Sequence, residues 1–238
     1  MRLAIFGDSY GSYLDKYDDS RPWPVILSDR LNSRNTGHWA RGGSSHWYSF
    51  TKFRELFNEY DCIIFCHTNS ARWPVLPDGY EGLAWNIGYI KDERLDAYNK
   101  IRNDIFSEDL LKYISLNVFN DVNRMCRENG KYLINIFGFP FDFELPNTEF
   151  PVLYGLDKIS RAEKTRIKGK EFFTIDLNSN GELRECHLNT PNNIKLTDML
   201  FDLIDKRTLN TRINLLDHNW EIYDNIMDKI YEENFDNR

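Results

Sequence analysis

The sequence predicts an α/β protein built on a mostly parallel, doubly wound sheet. Three observations carry that expectation. Continuous apolar runs, such as Cys62-Ile63-Ile64-Phe65-Cys66 and Tyr132-Leu133-Ile134-Asn135-Ile136-Phe137, have the pattern of strands covered on both faces. Between the runs lie stretches whose apolar residues recur at steps of three and four, the spacing of an amphipathic helix. The two kinds alternate along the chain at the interval of β-α-β units rather than of hairpins.

Taken in order, residues 2 to 6 are a short apolar run that ends at Gly7, and a polar turn then leads to a helix over Trp23–Leu31. Trp47, Phe50, Phe53, Leu56 and Phe57 mark a second helix over 45–58, which leads into the strand at 61–66. A third helix is predicted over 107–129. Ser107 can cap its start, Leu111, Ile114, Val118, Val122 and Met125 form its stripe, and Gly130 stops it by accepting the left-handed conformation that ends helices. The strand at 132–137 follows. A last strand is predicted at Phe172-Phe173-Thr174-Ile175, before a helix over about Pro191–Asp205.

Two segments exceed this pattern. Residues 70–105 carry Trp73, Pro74, Pro77, Tyr80, Trp85 and Tyr89, and are long for a connection in a compact domain. They read as a cap or insertion. Because open α/β sheets bind ligands beyond the carboxyl ends of their strands, these aromatics suit a sugar or acyl pocket, and equally a mini-core or subunit contact. At the C-terminus, Leu209, Ile213, Leu216, Trp220, Tyr223, Met227 and Ile230 stand at alternating steps of four and three. That heptad spacing predicts one long helix in a 206–238 extension of a domain spanning 1–205, packing on its own domain or joining subunits into a homo-oligomer.

With 41% hydrophobic residues in 238, the chain can bury a core without disulfide or metal staples. Lys and Arg number 30 against 37 Asp and Glu, a net charge of −7, which disfavours nucleic acid or an anionic membrane as the main partner. Cys62, Cys66, Cys126 and Cys186 show no CxxC spacing, so they read as buried small hydrophobes in a reducing compartment and no metal site is expected. The apolar run at the N-terminus is too short for a signal peptide, and no stretch approaches the roughly 20 apolar residues of a membrane span, so a cytoplasmic protein is expected. No GxGxxG or GxxxxGK[ST] loop is present, and no cofactor is expected.

The residues suited to chemistry begin at Gly7-Asp8-Ser9-Tyr10-Gly11, directly after the first strand. The block matches the G-x-S-x-G pattern that holds a serine on a tight turn, although an Asp-Ser pair at a strand end is also an ordinary helix cap. Ala40-Arg41-Gly42-Gly43-Ser44-Ser45-His46, then His67-Thr68-Asn69, then His187-Leu188-Asn189 follow at later turns. In this order of Ser, Gly, Asn and His, over roughly residues 1–205, the chain resembles the SGNH (GDSL-type) hydrolase family. The resemblance implies a flavodoxin-like three-layer α/β/α sandwich and makes Ser9 the nucleophile, His187 its base, and the Ser9 and Gly43 backbone N–H groups with the Asn69 amide the oxyanion donors.

Those residue types fit the chemistry. A serine needs a base, and an imidazole with an unperturbed pKa near ~6.5 can take the proton and return it to the leaving alcohol. Three neutral donors suit the negative oxygen that develops on the attacked carbonyl. The family's usual aspartate three residues before the histidine is Arg184 here, leaving Glu185, the more distant Glu182 and Asp176, or a backbone carbonyl to orient His187. The third block is His-Thr-Asn where the family usually has Gly-x-Asn-Asp. His46 and His67 stand beside the second and third blocks, where they could touch substrate, Arg72 could meet an anionic group of a substrate although surface arginines seldom do, and His38 and His218 show no partner pattern. The resulting expectation is an ester hydrolase acting on short-acyl esters of a carbohydrate. The rivals are a lipid or thioester hydrolase, and a glycan-binding or assembly subunit that has lost activity through its altered histidine block.

Overall fold

A computed structural model describes residues 1–13, 22–33, 36–42, 44–70, 107–139, 141, 143–156, 159, 188 and 190–220, with short strands at 74–75, 83–84, 165–167, 170–172, 175–177 and 183–185. Its centre is a six-stranded sheet of β1 (Leu3–Gly7), β2 (Gly37–Ala40), β3 (Cys62–His67), β6 (Tyr132–Phe137), β7 (Val152–Tyr154) and β12 (Arg212–Asn214). The strands lie in the order β12-β7-β6-β3-β1-β2, and every pairing is parallel. The first strand therefore lies between the second and the third. That is the flavodoxin-like doubly wound order, and its topological switch point falls between β1 and β3.

Helices cover both faces. On one side α1 (Trp23–Arg30) and α4 (Thr190–Asp205) place Trp23, Leu27, Leu196, Leu200 and Leu203 over Leu3, Ile5, Ile64 and Ile134. On the other, α2 (His46–Leu56) and α3 (Glu108–Glu128) place Phe50, Phe53, Val118 and Val122 over Ala4, Phe6, Ile63, Phe65 and Leu133. Alternate residues of each strand thus feed separate cores, which is why the strands read as unbroken apolar runs.

The three-layer architecture and the long elements agree with the sequence, and two placements differ. The fifth strand of the sheet is β7 at 152–154, whereas the predicted strand at 172–175 is divided between β9 (Lys170–Phe172), paired with β8 (Thr165–Ile167), and β10 (Ile175–Leu177), paired with β11 (Leu183–Glu185). In the aromatic insertion, only the antiparallel pair β4 (Pro74–Val75) and β5 (Leu83–Ala84) lies within the described residues. The predicted C-terminal helix is not formed over 206–220. There the chain turns at Arg207 and Asn210, both at positive φ, adds β12 beside β7, and buries Leu215 and Trp220 in the core on the α1/α4 side. Residues 221–238 lie outside the described residues. Among the described residues, no helix is long and apolar enough to cross a membrane.

Candidate active site

β1 ends against β3. Gly7 has φ +148°, and a Cβ there would stand 2.5 Å from Cys66 Cβ and 2.7 Å from its carbonyl oxygen, so the approach admits only glycine. Asp8 follows, fully buried, and caps a single 3-10 turn, Ser9–Gly11, by accepting from the Tyr10 backbone N–H at 3.1 Å. Its second carboxylate oxygen accepts from the Thr68 hydroxyl at 2.6 Å, across the switch point. Because Asp8 supplies the cap, the Ser9 hydroxyl is not committed to that role, and Ser9 stands half-buried as the first residue of the turn.

The same strand end gathers the second block. The Gly7 carbonyl accepts from the Arg41 N–H at 3.0 Å and from the Ser44 hydroxyl at 2.8 Å, while the Ser44 N–H donates to the Arg41 carbonyl at 3.1 Å. A Cβ at Gly42 would lie 3.9 Å from that of Ser9, so the turn passes beside the serine. Ser45 then caps α2 by accepting from the Tyr48 N–H at 3.2 Å. Thr68 and half-buried Asn69 follow β3 at the same end of the sheet.

The structure therefore brings Ser9, Gly42 and the Thr68–Asn69 segment to the same end of the sheet. Gly43, Glu182 and His187 lie outside the described residues, as do the side chains of Asp176, Arg184 and Glu185; Arg184 pairs with Asp176, and Glu185 with Ile175, along the β10–β11 ladder. Leu188, the next residue after His187, is buried. Its carbonyl accepts from Asn193 Nδ2 at 2.9 Å, Asn193 Oδ1 accepts from the Trp23 N–H at 2.9 Å, and Trp23 Nε1 donates to the Tyr10 carbonyl at 2.7 Å. Hydrogen bonds thus connect the start of α4 to the turn that carries Ser9.

Both histidines read from sequence as pocket neighbours are instead buried between the sheet and the α2/α3 layer, with His46 Nε2 2.8 Å from His67 Nδ1. Burial lowers the His67 pKa to about 4 and holds His46 well below the usual imidazole value, with His67 adding to the effect, so both are neutral at pH 7. His38 on β2 lies 4.4 Å from the Tyr13 ring, and His218 is exposed. Cys62, Cys66 and Cys126 are buried free thiols; burial raises the pKa of Cys62 to about 12 and that of Cys66 well above the usual value, so neither is a nucleophile. Among the described residues, no group of three metal-ligating side chains converges.

The sequence held no signal for Thr68 as a tie to Asp8, because the pair is 60 residues apart. Thr68→Val removes the hydroxyl and leaves a buried carboxylate short of a donor, so it should cost about 1–3 kcal/mol in urea denaturation. Thr68→Ser should recover most of that loss. An unchanged midpoint in the valine variant would show that the tie contributes nothing.

No protein-family model and no curated protein matches the chain. Among solved structures it is similar to TesA, with a TM-score of 0.45 and 9% identity over 87% of this chain and 99% of the other. A protein assigned as an acylhydrolase from Bacteroides fragilis gives 0.43 and 11% over 87% of each chain, and the esterase EstA from Pseudoalteromonas gives 0.41 and 11% over 87% and 97%. A protein assigned to the G-D-S-L lipolytic family from Desulfitobacterium hafniense gives 0.34 and 8%, and there the chain spans 58% of its relative's length. By its own strand order the chain is a doubly wound, flavodoxin-type α/β protein with a serine at the switch point, and the solved structures it is similar to include a G-D-S-L lipolytic protein, an acylhydrolase and an esterase.

Proposed function

We propose that the protein is a serine ester hydrolase that works through an acyl-enzyme. The observation that supports this most is the placement of Ser9: a half-buried serine at the carboxyl end of β1, at the switch point, with its helix-cap duty taken by Asp8 and the 41–44 turn alongside. Ser9 attacks the ester carbonyl while His187 accepts the hydroxyl proton. The tetrahedral oxyanion is held by the Ser9 and Gly43 N–H groups and the Asn69 side-chain amide, and loss of one such donor would cost about 2.7–4 kcal/mol of transition-state stabilisation. His187 then protonates the leaving alcohol, and water that it deprotonates releases the acid. Glu185 is the proposed orienting acid for His187. Short acyl esters of a carbohydrate are the proposed substrate class, supported by the aromatic content of residues 70–105.

Labelling with a fluorophosphonate, followed by peptide mapping, tests the nucleophile. An adduct on Ser9 together with acetate release from p-nitrophenyl acetate is the expected result, and an acyl chain-length series then separates an acetylesterase from a hydrolase of long-chain lipids or thioesters. A folded protein with neither adduct nor turnover would favour the second reading, a glycan-binding or assembly subunit, which is motivated by Arg184 standing where the resemblance calls for an aspartate.

A further inference from the structure

The buried histidine pair belongs to a chain of hydrogen bonds whose direction can be assigned. The Phe119 carbonyl can only accept, and it accepts from Asn123 Nδ2 at 2.7 Å. This turns Asn123 Oδ1 toward Asn135, whose Nδ2 donates to it at 3.2 Å. Asn135 Oδ1 therefore faces His67 Nε2 at 3.0 Å, and His67 donates there. A neutral imidazole has one proton, so His67 Nδ1 must accept, and it accepts from His46 Nε2 at 2.8 Å. His46 Nδ1 in turn accepts from the Ser115 hydroxyl at 3.1 Å. Every imidazole nitrogen of the pair has a partner, and each histidine is the Nε2–H tautomer.

An apolar core does not need this arrangement. Nearer the start of the strands the same face is lined by Ala4, Phe6, Ile63 and Leu133, and the imidazoles themselves sit among Phe65, Phe119 and Phe137 rings. What a hydrogen-bonded pair adds to apolar packing is direction and a defined distance. The location gives that direction a use. His46 opens α2, two residues after Ser44 of the 41–44 turn, and His67 closes β3, one residue before Thr68. Two other ties fasten this end of the sheet: the Gly7 carbonyl to Arg41 and Ser44, and Asp8 to Thr68. Both run through Gly7 or Asp8 at the end of β1, whereas the histidine bond joins the first residue of α2 directly to the end of β3 and completes a triangle.

We propose that the His46–His67 bond is a positioning element which holds Ser44 and Ser45, and the chain that leads into them from Arg41 and Gly42, in register with Thr68 and Asn69 after β3, so that the donors proposed for the two segments are in place before substrate arrives. The inference rests on the ester-hydrolase reading above. Neither histidine touches substrate; both act through the backbone they anchor.

Three variants measured on p-nitrophenyl acetate test it. His46→Leu removes the donor to His67 and should lower kcat by about 10–100-fold, the effect expected of a catalytic group displaced by up to about an ångström, with KM changed less than about threefold. His46→Gln keeps an N–H donor at the Nε2 position and should restore kcat to within about threefold of wild type. The double variant His46→Leu/His67→Leu removes the unpaired imidazole but also the donor that His67 gives Asn135 Oδ1, which keeps the longer 3.4 Å bond from Asn123 Nδ2, so its kcat should stay as low as that of His46→Leu. A merely structural pair would instead leave kcat per folded molecule near wild type in both leucine variants. Wild-type kcat in a folded double variant or in folded His46→Leu overturns the proposal, even with Ser9 labelled by fluorophosphonate. Absence of a Ser9 adduct in the wild-type protein would remove the ester-hydrolase reading itself, and the positioning role with it.

Discussion

Ser9→Ala should lower hydrolysis of p-nitrophenyl acetate by a factor on the order of 10⁴ or more, since removal of the nucleophile leaves only what binding and the oxyanion donors supply. It should also abolish fluorophosphonate labelling while leaving the unfolding midpoint close to wild type. Stability is spared because the hydroxyl caps nothing: Asp8 accepts the Tyr10 N–H, and the turn closes through backbone bonds from Gly11 to Asp8 and from Ser12 to Ser9. Loss of turnover with an unchanged midpoint therefore separates chemistry from folding. Turnover within a few fold of wild type in a stable Ser9→Ala protein would remove Ser9 as nucleophile and leave the fold without an assigned reaction.

Gly7→Ala should have the largest effect on stability of any single methyl added near the site, roughly 3 kcal/mol or more by urea denaturation. Overpacking against a neighbouring strand and a backbone angle that side chains rarely adopt each contribute about 1–3 kcal/mol. The atoms in the way are Cys66 Cβ and the Cys66 carbonyl oxygen, and neither belongs to a flexible side-chain end that could swing aside. Displacement of this residue also moves the carbonyl that holds Arg41 and Ser44, so turnover should fall with stability. Gly130→Ala offers a comparison at another positive-φ glycine, where no atom lies within 4 Å and only the conformational term applies. If the two variants lose the same stability, packing against Cys66 contributes nothing at Gly7.

Elements long enough to show a period were legible. β3 and β6 appear as apolar runs, α2 and α3 as stripes of apolar residues at helical spacing, and α4 as a helix after a strand, each within two residues of its observed bounds. β2, β7 and β12 were not, because three or four residues cannot display a period distinguishable from that of a loop. At the candidate site, the sequence blocks offered Ser9 and Asn69, and the structure puts the segments that carry them at one end of the sheet. Gly7 as a contact point, Gly42 beside Ser9, the Asp8–Thr68 bond and the His46–His67 bond lay beyond sequence reasoning, since each depends on which strand ends become neighbours.

Two helix ends show where the boundary falls. The stop of α3 could be read from the chain alone: Gly130 takes the left-handed conformation at φ +61°, the Lys131 N–H reaches the Cys126 carbonyl and the Gly130 N–H that of Arg127. α4 ends with the same bonding pattern, Thr208 to Leu203 and Arg207 to Ile204, but the left-handed residue is Arg207. Nothing local marks an arginine for that conformation, so Leu209, Ile213, Leu216 and Trp220 read as the continuation of a helix. The alternative prevails through long-range interactions: residues 212–214 pair with β7, and Leu215 and Trp220 enter the core over α1 and α4. The sequence by itself determined the elements with a period and the serine turn at the end of the first strand, because periodicity and turn chemistry act between residues a few positions apart. Only the tertiary structure decided the edge strands, the end of the last helix and the ties around Ser9, because their free energy comes from partners dozens of residues away that the folded sheet brings into contact.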